Sequence, residues 1–594
     1  MATSTQNMSA PLHYRVEITN LHAHLFRVTL TIAEPAALQR VALPVWIPGS
    51  YLVREFAKNL QGLQARQSGG LLAVEQLDKC SWQIACSPAE ALVLNYDVYA
   101  HDNSVRSAWL DAHRGFFNGT SVCLKVEGRE AAQHVLELPA GNSVAGWSVA
   151  TGLAPQAVNP QGFGSYAAAD YDELVDCPVE MGPFWSAGFT ACGVPHRFVV
   201  AGAAPGFDGE RLLGDAQKIC EAEIRFWHGA DKPPFENYLF MLNAVDDGYG
   251  GLEHRNSTAL ICSRKDLPRK GEAKAPEGYT TLQGLISHEY FHTWNVKRLR
   301  PAEFESYRYD RENYTGLLWF FEGFTSYYDD LLLRRAGLVD NAAYLKLLTK
   351  TINQVLQAPG RLVQSVAEAS FDAWVKYYRP DENTPNATVS YYAKGALVAL
   401  CLDLTLRAEG HGATLDDAMR GLWLACRAGP MREADVAEAL RMAGQRSFAP
   451  ELADWVHGRG ELPLKDLLQR HGVAVLEEPA HLAQRLGLRV TETQGVQIKT
   501  VLRGGAAEQA GFAAGDEWLG LEPARAAGAA GWRISRLDDL PLYAGTAEKV
   551  IALVARDKRL LRLELTLPPA QTTWRLAVKD AALLDQWLEA PTRP

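Results

Sequence analysis

At 594 residues, 47% of them hydrophobic, the chain is too long for one core and should divide into three or four globular domains. A formal charge of −10, with no sustained Lys/Arg excess on any predicted face, argues against nucleic acid as the main partner, and the basic run Lys297–Arg300 reads as a loop or the edge of a substrate site. Nine scattered cysteines, with Cys192, Cys220, Cys262 and Cys401 in apolar settings, suit reduced core thiols better than a disulfide framework.

The first ten residues lack a basic stretch followed by an apolar one, so the expectation is a cytoplasmic protein without a membrane span. From His13 to Ala100 the hydropathy alternates with period two, as in Leu25-Phe-Arg-Val-Thr-Leu-Thr-Ile32, and Gly, Pro and Asn break the runs. Residues 1–180 therefore read as an amino-terminal antiparallel β domain. Within it, Trp46-Ile-Pro-Gly-Ser-Tyr51 reads as a buried turn with a Trp anchor and is given no catalytic role.

Near residue 185 the character changes. A helix is expected over Glu210–His228, with Gly229 at its stop, and strands over Tyr238–Asn243 and Thr258–Cys262. The glycine-dense segment Asp246–His254 between those strands is either a hairpin turn or a backbone that comes close to a ligand, with Gly250 and Gly251 as its substrate-binding positions.

The apolar run Leu282–Trp294 then carries His288-Glu-Tyr-Phe-His292. Two histidines four apart leave one face of a helix a turn from each other and can share one tetrahedral metal, expected to be zinc. Glu289, rotated by one position, can reach a water held on that metal and serve as general base. A second helix is expected over Thr315–Ala336. Glu322 lies inside its aromatic run, where a carboxylate is costly to bury unless paired or metal-bound, and is the candidate third ligand. Asp329, two turns further on that face, could accept a hydrogen bond from the other nitrogen of a ligand histidine. Helices are expected over Asn341–Gln357 and Tyr392–Arg407. Short strands follow from about Leu482 to Leu567, interrupted by an Ala/Gly-rich stretch, 524–531, that reads as a flexible insertion.

Taken in order, Trp46–Tyr51, Asp170-Tyr-Asp-Glu-Leu-Val-Asp-Cys-Pro-Val-Glu180, Gly250-Gly-Leu-Glu-His254, His288–His292, Trp319-Phe-Phe-Glu-Gly-Phe324 and Tyr392-Ala-Lys-Gly395 resemble the glycyl aminopeptidase family of zinc metallopeptidases, a gluzincin group with a PDZ domain. The resemblance implies an α+β multidomain chain: the amino-terminal antiparallel β domain (1–180), a thermolysin-like catalytic domain (181–475), a PDZ domain (482–570) and a carboxy-terminal tail (571–594). It implies one zinc per chain on His288, His292 and Glu322, with Glu289 as base and Tyr392 as proton donor and oxyanion partner. Glu253 takes the place of the exopeptidase glutamate, although the motif of the wider group, Gly-x-Met-Glu-Asn, here reads Gly-Gly-Leu-Glu-His. Leu486, Gly487 and Leu488 are placed like the carboxylate-binding loop of bacterial PDZ domains, which bind chain termini by strand addition. The implied substrates are peptides with a free, small amino-terminal residue. The rival readings are a PDZ-assisted endopeptidase and a non-catalytic PDZ scaffold.

Overall fold

A computed structural model describes residues 10–409, 411–523 and 530–590. The expected insertion at 524–531 lies mostly outside those residues. Backbone proximity divides the chain into two units. The first runs to Asn313 and takes in Arg335–Leu338 and Trp423–Met431; the second holds Tyr314–Arg334, Val339–Leu422 and the remainder from Arg432.

In the first unit, the alternation seen in the sequence becomes an eight-stranded sheet centred on Leu12–Asn20, Leu25–Ile32 and Leu92–Tyr99. Tyr14 lies opposite Leu30, and Val28 faces Val16 on one side and Tyr96 on the other, so every second side chain enters a single core. Each such apolar side chain contributes about 1.5–3 kcal/mol of burial. Pairing is antiparallel except between Leu12–Arg15 and His134–Glu137, which run parallel and so depart from the all-antiparallel expectation. Three buried tyrosines close the layer. The hydroxyls of Tyr96, Tyr171 and Tyr14 donate to the successive carbonyls of Val122, Cys123 and Leu124, which the one-turn helix Gly119–Val122 leaves without helical partners.

A five-stranded sheet of this unit has the order Trp185–Ala191, Val194–Ala201, Tyr238–Val245, Ser257–Ser263, Tyr249–Glu253. Its central strand is buried on both faces from Tyr238 to Ala244, which is why it reads as a continuous apolar run rather than an alternating one. The segment expected as a hairpin turn or ligand approach forms the strand Tyr249–Glu253, antiparallel to Ser257–Ser263 at the sheet edge. Two long helices belong to this unit, Gly209–His228 and Glu277–Phe291.

The second unit contains the helices Leu318–Arg335, Asn341–Leu356 and Tyr391–Ala408 and a carboxy-terminal sheet with its own core, including Leu486, Ile498, Trp518 and Val554. In that sheet, Leu488–Thr491 is an edge strand paired antiparallel with Val496–Val501. The segment from 571, expected as a tail, is instead part of the fold. Thr572–Val578 pairs antiparallel with Val473–Pro479, and Ala581–Leu588 is a helix whose Trp587 is fully buried and donates to the Tyr327 hydroxyl. Its alternating Trp574, Leu576 and Val578 was the available signal for a strand. All nine cysteines are free thiols, and no helix among the described residues is long and apolar enough to cross a membrane.

Candidate active site

The helix Glu277–Phe291 is fixed along its length by side chains that reach neighbouring elements. Tyr279 and Gln283 donate to Asp215, Ser287 donates to the buried Glu223, the Tyr290 hydroxyl meets His196 at 2.8 Å, and just beyond the helix Trp294 donates to His228. The motif is therefore carried on a rigid element, which a catalytic constellation requires. His292 caps the helix, and its Nδ1 lies 2.8 Å from the Asn295 carbonyl. A carbonyl only accepts, so Nδ1 carries the proton and Nε2 presents its lone pair. The Asn295 carbonyl thus orients His292, and the Asp329 carboxylate accepts from the Asp330 backbone N–H.

Glu289 is buried, and its carboxylate lies against the edge strand: a Cβ built on Gly251 would stand 2.1 Å from Glu289 Oε1. Gly251 is therefore bare because the carboxylate occupies the space its side chain would take. Glu253, two residues along, leaves the same face of the strand, about 7 Å further on. It is 4% exposed. Arg106 of the β domain donates to the Gly251 carbonyl at 3.1 Å, and Gly250, with φ +154°, has the Arg106 guanidinium as its nearest neighbour.

The strand end is anchored through charge. Asp176 accepts from Lys297 Nζ at 2.6 Å, meets His254 Nδ1 at 3.3 Å and accepts from the Arg255 backbone N–H at 2.9 Å. Burial alone would raise the Asp176 carboxyl, but the Lys297 ammonium and the His254 hydrogen bond outweigh it and hold the group well below the usual carboxylate range. Lys297, buried in its turn, is raised by Asp176 against the opposing effect of desolvation. Removing one partner of such a pair strands the other charge at a cost of roughly 3–5 kcal/mol.

In the second unit, two glycines set the spacing between Glu322 and Tyr392. A Cβ on Gly323 would stand 2.5 Å from the Cα of Gly395, and one on Gly395 would stand 2.6 Å from the Trp319 carbonyl, so the helices Leu318–Arg335 and Tyr391–Ala408 touch backbone to backbone. Glu322 and Tyr392 lie in the turns that flank this contact. The Tyr392 hydroxyl lies 3.2 Å from that of Tyr378, and burial, with Glu322 next in effect, raises the phenol well above its ordinary value, so it stays protonated at neutral pH.

His288, His292 and Glu322 each offer one ligand atom, and these atoms lie within 4.8 Å of one another. The two histidine Nε2 atoms are 3.1 Å apart. Two nitrogens at ordinary zinc distances on a tetrahedral ion would be separated by about 3.3 Å. Two imidazoles and one carboxylate at this spacing form the donor set of a catalytic zinc site.

Three neighbours of the site went unread in the sequence. Tyr378 sits in a polar loop with no periodicity to single it out. Asp176 was quoted within a motif but given no role. Gly49 had been read as part of a turn and no more.

Comparison with known proteins bears directly on this arrangement. A family model described as the Peptidase M61 N-terminal domain matches residues 13–183, and one described as M61 glycyl aminopeptidase matches residues 281–398. The crystal structure of an aminopeptidase N family protein from Idiomarina loihiensis is 38% identical, with a TM-score of 0.92 over 97% of this chain and 100% of that one. An M1 zinc metallopeptidase from Deinococcus radiodurans is 16% identical, with a TM-score of 0.47 over 76% of this chain and 94% of that one. A mutant of the latter bound to Tyr-Ser-Ala gives 15% and 0.46 over the same share of this chain and 94% of its own. No curated protein matches. The chain is thus a zinc metallopeptidase of the aminopeptidase class. It belongs to the M61 glycyl aminopeptidase family.

Proposed function

We propose that this protein removes amino-terminal residues, small ones such as Gly or Ala, from peptides, using one zinc per chain held by His288, His292 and Glu322. The observation that carries this reading is the convergence of those three ligand atoms, together with Glu289 lying against the edge strand that bears Glu253. A zinc ion held by these three residues would supply Lewis-acid activation of the scissile carbonyl and of water. Glu289 is the base that takes a proton from the attacking water and returns it to the leaving amine. Tyr392, kept protonated and fixed by Tyr378, donates a hydrogen bond to the oxygen on which negative charge develops. Glu253 pairs with the substrate α-ammonium, and its position two residues from Gly251 supports a site one amino acid deep. With their bare Cα atoms, Gly250 and Gly251 let the substrate approach the strand. Asp329, two turns beyond Glu322 on the same helix face, accepts a hydrogen bond from the free ring nitrogen of a ligand histidine in this reading.

We further propose that residues 1–180, 181–475 and 482–570 are the three functional domains, the last a PDZ domain with Leu486, Gly487 and Leu488 as its carboxylate loop. The exposed pairing edge of Leu488–Thr491, which could take up a peptide or protein carboxy terminus by strand addition, supports this. A cytoplasmic location remains part of the same reading.

The direct test is hydrolysis of free tripeptides by the zinc-loaded protein. Activity should vanish on chelation and return with zinc; activity unchanged by chelation would overturn the proposal. Tyr392→Phe is expected to lower kcat by about a hundredfold with little change in KM, because its donor matters most as the oxyanion forms. Tyr391→Phe serves as the control. A change confined to KM would make Tyr392 a binding group only.

A further inference from the structure

The turn at Trp46–Tyr51 belongs to the β domain, yet it ends against Glu253. The Ser50 N–H donates to the Ile47 carbonyl at 3.1 Å, with Pro48 and Gly49 between them and Gly49 at φ +89°, the signature of a type II turn. The turn is held firmly. Trp46, fully buried, donates from its indole to the Arg308 carbonyl at 2.8 Å; the Val45 N–H donates to the Tyr309 carbonyl, and Arg54 reaches Ser50 Oγ at 2.6 Å.

A Cβ built on Gly49 would stand 2.5 Å from Glu253 Oε1, 2.5 Å from Oε2 and 2.7 Å from the carboxyl carbon. The two oxygens are equidistant from that point, so the carboxylate straddles the space a side chain at 49 would take. Positive φ does not by itself demand such an approach: Gly69 and Gly128, with φ +81° and +80°, have nothing within 4 Å of the same position. The missing side chain at Gly49 therefore serves Glu253 as well as the turn.

We infer that Gly49 is a positioning residue for amino-terminal recognition, its bare Cα on a clamped turn of the β domain holding the Glu253 carboxylate at the height where it meets the substrate α-ammonium. This rests on the reading of Glu253 as the amine-binding group. Any side chain at 49 pushes the carboxylate off that seat, so discrimination between free and blocked amino termini falls while zinc binding and general-base chemistry are untouched.

The test compares kcat/KM for a free tripeptide and its N-acetylated form on full-length, zinc-loaded protein. Gly49→Ala should lower the free-to-acetylated ratio by about tenfold or more, with zinc content unchanged. In a Glu253→Ala background the same substitution should change the ratio less than about twofold, because the group it displaces is gone. Glu253→Asp, which shortens the side chain by one methylene, should restore part of the ratio when combined with Gly49→Ala. Should Gly49→Ala fail to fold, Glu253→Asp alone, which lifts the carboxylate off the turn, must still narrow the ratio by about tenfold. An undiminished ratio in a folded Gly49→Ala, equal losses in both backgrounds, or an unaffected Glu253→Asp would each overturn the role of Gly49. If Glu253→Ala leaves the ratio as it was, the amine-binding reading itself fails and the inference falls with it.

Discussion

Glu289→Gln is expected to lower kcat by about a thousandfold while the protein keeps its zinc. Glutamine has the shape of glutamate and can sit against Gly251 in the same space, so the helix Glu277–Phe291 has no reason to repack. What it lacks is the capacity to take a proton from water. The ligand atoms of His288, His292 and Glu322 are untouched. Steady-state kinetics and elemental analysis on the same preparation check both halves of this expectation. Glu322→Ala is the converse case: it deletes one of three donors and should lose zinc and activity together. A Glu289→Gln protein within tenfold of the parent rate would mean that another group serves as base.

Acetylating the substrate amine is expected to slow cleavage by two to three orders of magnitude. Glu253 is 4% exposed, so a substrate that seals the site without offering it a charge leaves a desolvated carboxylate uncompensated. A penalty of roughly 3–4 kcal/mol corresponds to that factor. Glu253→Ala should then cost rate on free peptides and, by removing the stranded carboxylate, raise that on acetylated ones, so the gap closes from both sides. Rates for a matched pair of peptides, run on parent and variant, decide the matter. Equal cleavage of both by the parent would replace the aminopeptidase reading with an endopeptidase.

Much of the secondary structure could be read from local pattern, because each signal is carried by residues a few positions apart. The strand Leu25–Ile32 coincides with its alternating run, and Asn341–Leu356 with its helical period to within a residue. The i, i+4 spacing of His288 and His292 predicted one face, and their ring nitrogens meet. Glu322 could be singled out because a carboxylate among Phe320, Phe321 and Phe324 needs a reason to be there. The edge strand Tyr249–Glu253 was harder: three glycines in four residues, Gly248, Gly250 and Gly251, erase the side-chain period on which strand recognition depends. At Gly251 the gap is filled by the Glu289 carboxylate, a partner the local sequence does not display. The same holds for the orienting contact of His292, which is a backbone carbonyl at Asn295 and so leaves no mark on residue type. Asp176 and Lys297 meet across the whole span between the β domain and the loop after the metal helix, where no periodicity reaches.

That pairing, together with the seat at Gly49, bears on how the family can diversify by recombination. A crossover near residue 185 would deliver the strands of both segments intact, yet it would divide the core that the β domain shares with Leu252 and Ala259 and would separate Gly49 from Glu253 and Asp176 from Lys297. A transplanted β domain must therefore bring a glycine turn and a buried carboxylate at matching places, or the hybrid folds with a misplaced Glu253 and a stranded ammonium at Lys297. The two segments should therefore be exchangeable only together, and swaps of parts should be tolerated only outside them.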